Sequence, residues 1–154
     1  MRKKNYFSTI LFLLFLFHAC PTNAQDFEIK CIGTELDGSM TLRVSGKGRN
    51  KFDAIAQAKK NAIFAVLFEG VRNGVEGANQ RPLVTGANAR EKFADYFDCF
   101  FQDGGEYQDY VNMADRRLGT TEKIRGGNQV EYAITVRVLR SKLKSKLKSD
   151  GIIK

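Results

Sequence analysis

The chain has 154 residues, of which 25 are Lys or Arg and 17 are Asp or Glu, for a formal charge of +8. Its only histidine is His18, so the remaining 136 positions hold no imidazole for a Ser-His or Cys-His nucleophile pair or for a histidine metal site. The length suits a single domain.

At the start, Arg2, Lys3 and Lys4 precede an uncharged apolar run from Tyr6 to Ala19. A spanning helix needs about 20 such residues, and this run is shorter and ends at Cys20-Pro21. It reads as a cleaved secretory leader, with Thr22-Asn23-Ala24 before the cut and Gln25 as the mature start. Phe17-His18-Ala19-Cys20 offers a rival cut, a loose lipobox in which Cys20 would be lipidated. Phe17 in place of leucine, and Pro21 directly after the cysteine, favour soluble cleavage. The expected division is a leader over 1–24, one domain over 25–139 and a basic tail over 140–154. Without the leader's three cations, 22 basic residues face 17 acidic ones, a balance of +5. The tail supplies that excess, with Arg140, Lys142, Lys144, Lys146, Lys148 and Lys154 against Asp150. The body is therefore neutral, and nucleic acid is a poor partner despite the basic pI.

Along the mature chain, Phe27, Ile29 and Cys31 alternate with polar residues, as do Met40, Leu42 and Val44, with Asp37-Gly38 placed to turn between them. That predicts an antiparallel hairpin. Asn50 is placed to cap a helix over 51–69, whose apolar stripe would be Phe52, Ile55, Ala58, Ala62, Ile63 and Val66 and whose stop would be Gly70. Its alanines would let it lie close on a sheet. Residues 71–86 read as a long loop, a length that is often functional. Asn88 with Glu91 predicts a second capped helix to about Phe101, with Phe93, Tyr96, Phe97 and Phe100 on one side. Tyr107 to Met113 is ambiguous but can form a short strand. Leu118 to Ile124 and Val130 to Val138 read as a second hairpin about Gly126-Gly127-Asn128. The expected fold is α+β in the order ββααβββ, an antiparallel sheet from two hairpins with room for a fifth strand, two helices on one face and a basic C-terminal helix or tail.

Few residues carry chemistry. Gly46-Lys47-Gly48 sits where phosphate loops occur, but Lys51 stands where the third glycine of a dinucleotide fingerprint belongs, so a tight turn is the better reading. No catalytic, cofactor-binding or metal-ligating residue is predicted. Asp103, Glu106 and Asp109 are the candidates if the chain were a carboxylate-based cell-wall or glycan hydrolase. Glu91, Asp95 and Asp98 fall where the solvated side of the second helix should be. Cys31 and Cys99 are an even pair in a compartment that permits disulfides, and they either bridge strand to helix or stay as separate thiols. In the tail, Leu139, Leu143 and Leu147 recur every four residues among lysines. Such a helix either packs its leucines on the domain edge or lies on an anionic lipid surface through Lys142, Lys144, Lys146 and Lys148.

Val44 to Val71 (VSGKGRNKFDAIAQAKKNAIFAVLFEGV) runs from a strand through a small-residue turn into a helix with Ala54, Ala58, Ala62 and Ala65. It resembles the small LPP-type bacterial envelope lipoproteins and the N-terminal domain of the flagellar-assembly protein FlgT. The resemblance implies a periplasmic or outer-membrane-associated accessory role, exercised through contacts with an envelope protein and without catalysis. The expected contact surface is the 71–87 loop with the exposed sheet face.

Overall fold

The computed structural model describes residues 27–75, 79–113 and 121–154. The proposed leader, its cleavage site and Cys20 lie outside the described residues, as do positions 118–120 of the expected sixth element. Strand β1 (Ile29–Thr34) turns through Asp37-Gly38 into β2 (Met40–Gly48). Gly38 has the positive φ, 78°, that the turn requires. Asp37 Oδ1 accepts from both the backbone N–H and the hydroxyl of Ser39, at 2.8 and 2.6 Å, and fixes the turn locally.

Helix α1 (Lys51–Phe64) starts where Asn50 Oδ1 accepts from Phe52 N and Asp53 N, at 2.8 and 3.0 Å. It continues into a π turn, Ala65–Glu69, closed by Gly70 N donating to Ala65 O at 2.7 Å. The carbonyls of Val66 and Leu67 accept instead from Leu83 N and Val84 N, at 3.0 and 2.9 Å, so the widened turn leaves them satisfied. Ala54, Ala58, Ala62 and Ala65 are fully buried, as the alanine spacing predicts. Phe52 is a correction to the expected stripe: it is 82 % exposed, since in the first turn it is Ala54, fully buried, that faces the sheet beside Gly46 and Gly48.

The second helix also differs from expectation. It breaks at Phe93 into α2 (Ala89–Lys92) and α3 (Ala94–Phe101). Asn88 does not cap it, for it sits in the left-handed region at φ 55° and its side chain makes no cap bond. Asparagine tolerates that conformation better than most residues, which removes the extended geometry a cap needs. After a 3₁₀ turn over Glu106–Tyr110 come β3 (Val111–Met113), β4 (Thr121–Arg125), β5 (Val130–Val138) and α4 (Arg140–Ser149).

All described strand pairings are antiparallel, in the order β1-β2-β5-β3, with β4 also on β5. β3 and β4 occupy the same edge in succession, β3 opposite Val136 to Val138 and β4 opposite Glu131 to Ile134. The registers of both β1 and β4 shift, at Cys31/Gly33 and Lys123/Arg125, and such bulges add twist that curls the sheet. One face carries Cys31, Met40, Leu42, Val44, Ile134, Val136 and Val138, which join α1, Phe97 and Phe100 in the core. The fold class is α+β, with the helices on that face.

Helix α4 belongs to the same core. Leu143 and Leu147 are fully buried within it, so residues 140–149 are an element of the domain rather than a separate tail.

Candidate functional site

Alternation along the strands leaves the opposite sheet face to residues that no described helix covers. Glu28 and Lys30 on the β1 side, Arg43 and Ser45 on β2, Ala133 on β5, and Glu122 and Ile124 on β4 line a hollow of about 240 Å³. Because the hollow is lined from β1 to β4, the curl of the sheet is what builds it. Its floor is low because Ser45 and Ala133 are small, and both are buried. Ser45 is further tied down, its Oγ accepting from Glu28 N at 3.0 Å and its carbonyl accepting from Asn61 Nδ2 at 2.9 Å.

The rim carries both signs. Arg43 pairs with Glu122 across the intervening β5. Further along the same face Arg137 pairs with Glu35 at 3.5 Å. Lys30 and Glu28 remain exposed, and Ile124, which lines the hollow with them, is 49 % exposed. Charged pairs around a floor of small residues form a surface that can match a complementary polar face of another protein.

The loop after α1 is more structural than its sequence indicates. Val71 pairs with Gln80, and Val71, Leu83 and Val84 are buried. Asn73 O accepts from Cys31 N at 2.8 Å, and Val75 N donates to Cys31 O at 3.2 Å, so this segment covers part of the outer edge of β1. Of the expected contact surface, the sheet face is open, while the loop is anchored to the fold through Val71, Leu83, Val84 and its bonds to Cys31 and otherwise largely exposed where described; positions 76–78 lie outside the described residues.

The other sequence-selected residues are dispersed. Asp103 pairs with Lys60 at 2.8 Å, which holds its carboxyl below the usual carboxylate range, the reverse of what a general acid needs. Glu106 pairs with Lys146 at 3.1 Å and lines a different cleft, and Asp109 is exposed. Glu91, Asp95 and Asp98 are on the exposed side of α2 and α3. Cys31 and Cys99 are free cysteines, one buried and one exposed, with no bridge between them. Cys31 Sγ lies 3.4 Å from Gly33 O, and burial pushes its thiol pKa up. Lys142, Lys144 and Lys148 are exposed on α4, but Lys146 is engaged by both Glu106 and Asp150. Gly46 and Gly48 hold no phosphate-loop geometry; they let α1 approach β2, for a Cβ at either would lie 2.4 Å from the α1 backbone.

Among the described residues no group of three or more His, Cys, Asp or Glu side chains could hold a metal ion. No described helix is long and apolar enough to cross a membrane. No family model, curated protein or solved structure matches the chain, so the resemblance of Val44 to Val71 rests on those residues alone.

Proposed function

We propose that this chain is a non-enzymatic accessory module of a bacterial cell envelope, exported and acting by binding another envelope protein across the open face of its sheet. The observation that carries this reading is the helix-free hollow between Lys30, Arg43, Glu122 and Ile124. A sheet with one side packed and one side in water is ordinary; a curled one with paired charges round a small-residue floor presents a shaped, polar surface. The basic, then apolar, N-terminal run supports export, and the resemblance of Val44 to Val71 supports the envelope setting.

Two other readings have less support. The carboxylates that the sequence offered for a hydrolase, Asp103 and Glu106, line separate clefts and are each already paired with a lysine, whereas that chemistry needs its two acids facing one pocket. An interfacial helix needs an apolar stripe free to enter lipid, and Leu143 and Leu147 are inside the core.

The test is site-specific photo-crosslinking in native envelopes from position 124 on the open face and from position 142 on α4. The reading expects a discrete adduct from position 124, lost on Arg43→Glu, and none from position 142. An adduct that survives Arg43→Glu, or that forms equally from both positions, would count against it. Deleting the 71–87 loop is a poor substitute, since it would also remove Val71, Leu83 and Val84 from the core.

A further inference from the structure

On the helix side of the molecule, away from the open sheet face, α1 and α3 diverge around a second hollow of about 200 Å³. Four rings wall it: Phe64 and Phe68 from the end of α1 and its π turn, and Phe97 and Phe101 from α3. Phe68 meets Phe64 at 5.1 Å and Phe97 edge-on at 4.9 Å between centroids, so these three rings brace one another. A π turn at the end of a helix is uncommon and is frequent at functional sites. Here it carries Phe68.

The polar groups of this hollow are specific. Asn61, 5 % exposed, lies on its inner wall. Asn61 donates to Ser45 O at 2.9 Å and accepts from Gln57 Nε2 at 2.8 Å. An amide has two donors and two acceptor lone pairs, so one of each is uncommitted. Lys60 is already held by Asp103. That leaves two charges of opposite sign lining the hollow, Arg90 and Asp98. Among the described residues neither has an ion-pair or hydrogen-bond partner, and they do not pair with each other. Arg90 instead makes cation–π contacts, its Cζ lying 4.9 and 5.8 Å from the centroids of Phe64 and Phe68. Those contacts engage the π faces and use none of its N–H donors, which can bind a carboxylate.

We propose that this hollow binds a free apolar α-amino acid, with its carboxylate on Arg90, its ammonium on Asp98 and its side chain among Phe64, Phe68, Phe97 and Phe101. Size agrees with this assignment: an engineered cavity of roughly 150 Å³ takes benzene, whereas drug-sized ligands need about 300 Å³ or more. One ring or branched chain fills the space. Charge also agrees, because a zwitterion offers one group to each of the two charges that line the hollow, whereas a ligand with a single ionic group engages only one of them. The site is independent of the proposed protein contact, which lies on the opposite face of the sheet.

The experiment is an NMR titration of the mature protein with L-phenylalanine, 3-phenylpropanoate and phenethylamine, repeated on Arg90→Gln and Asp98→Asn. Both substitutions fall on exposed positions and should leave the circular dichroism spectrum unchanged. L-Phenylalanine should bind saturably at about millimolar concentration or below and more tightly than either single-charge analogue. Asp98→Asn should weaken L-phenylalanine by about threefold to tenfold without affecting 3-phenylpropanoate, and Arg90→Gln should weaken both while sparing phenethylamine. Absence of saturable L-phenylalanine binding would overturn the proposal, as would affinities unchanged in both variants. Equal binding of 3-phenylpropanoate and L-phenylalanine would overturn the zwitterion assignment.

Discussion

Gly46 shows how one residue can set the distance between two elements. A Cβ there would lie 2.4 Å from Ala54 O and Ala58 N and 2.8 Å from Ala58 Cα, all backbone that can move only with the whole helix. Gly46→Ala should therefore destabilise the domain by about 2 to 3 kcal/mol, measured by urea unfolding, whereas Gly33→Ala, with nothing within 4 Å, should cost far less. Reactivity separates the cysteines in the same way. Cys99 is exposed and Cys31 fully buried with a raised pKa, and thiolate is the reactive form. In the chain beginning at Gln25, a disulfide-exchange reagent should titrate one thiol quickly in the native state and the second only in denaturant. Two fast thiols would mean that the loop over β1 does not shield Cys31.

Helix α4 is where a short basic segment is most easily misread. Its leucine spacing is as compatible with a lipid interface as with a core, and only packing decides between them. With Leu143 and Leu147 fully buried, Leu147→Ala should cost about 2 to 4 kcal/mol by urea unfolding, while Lys148→Gln should change stability by less than about 0.5 kcal/mol. Elements whose burial follows from local periodicity were legible in the sequence: the β1-β2 hairpin, the Asn50 cap, the alanine face of α1, and β5, whose span matches the expected Val130 to Val138. The break at Phe93 was not, because Asn88 has the composition of a cap and only its φ reveals otherwise. Nor was the π turn, which depends on Leu83 and Val84 arriving from a distant loop to satisfy the carbonyls. The open sheet face was anticipated as a surface, but its hollow comes from edge bulges that no spacing pattern marks. The helix-side hollow was missed because Phe64 and Phe68 sit outside the apolar stripe, while Phe97 reads as ordinary core.

At the scale of the molecule, the two sides of the sheet separate stability from recognition. The packed side holds the core, so charge changes on the other side should leave the fold intact. Lys30→Ala with Arg43→Ala should shift unfolding by less than about 1 kcal/mol, since exposed ion pairs contribute little. Loss of the crosslinked adduct in such a variant would then report binding alone. A larger destabilisation would mean that the Arg43 pair with Glu122 helps hold the curl.

The placement of β5 has a consequence for how the chain is made. It is the strand on which β2, β3 and β4 all pair, yet it is synthesised after each of them, and α4 follows it. Until that final stretch is made, β2, β3 and β4 lack their common neighbour, so completion of the sheet waits on contacts distant in sequence, the kind that slow folding.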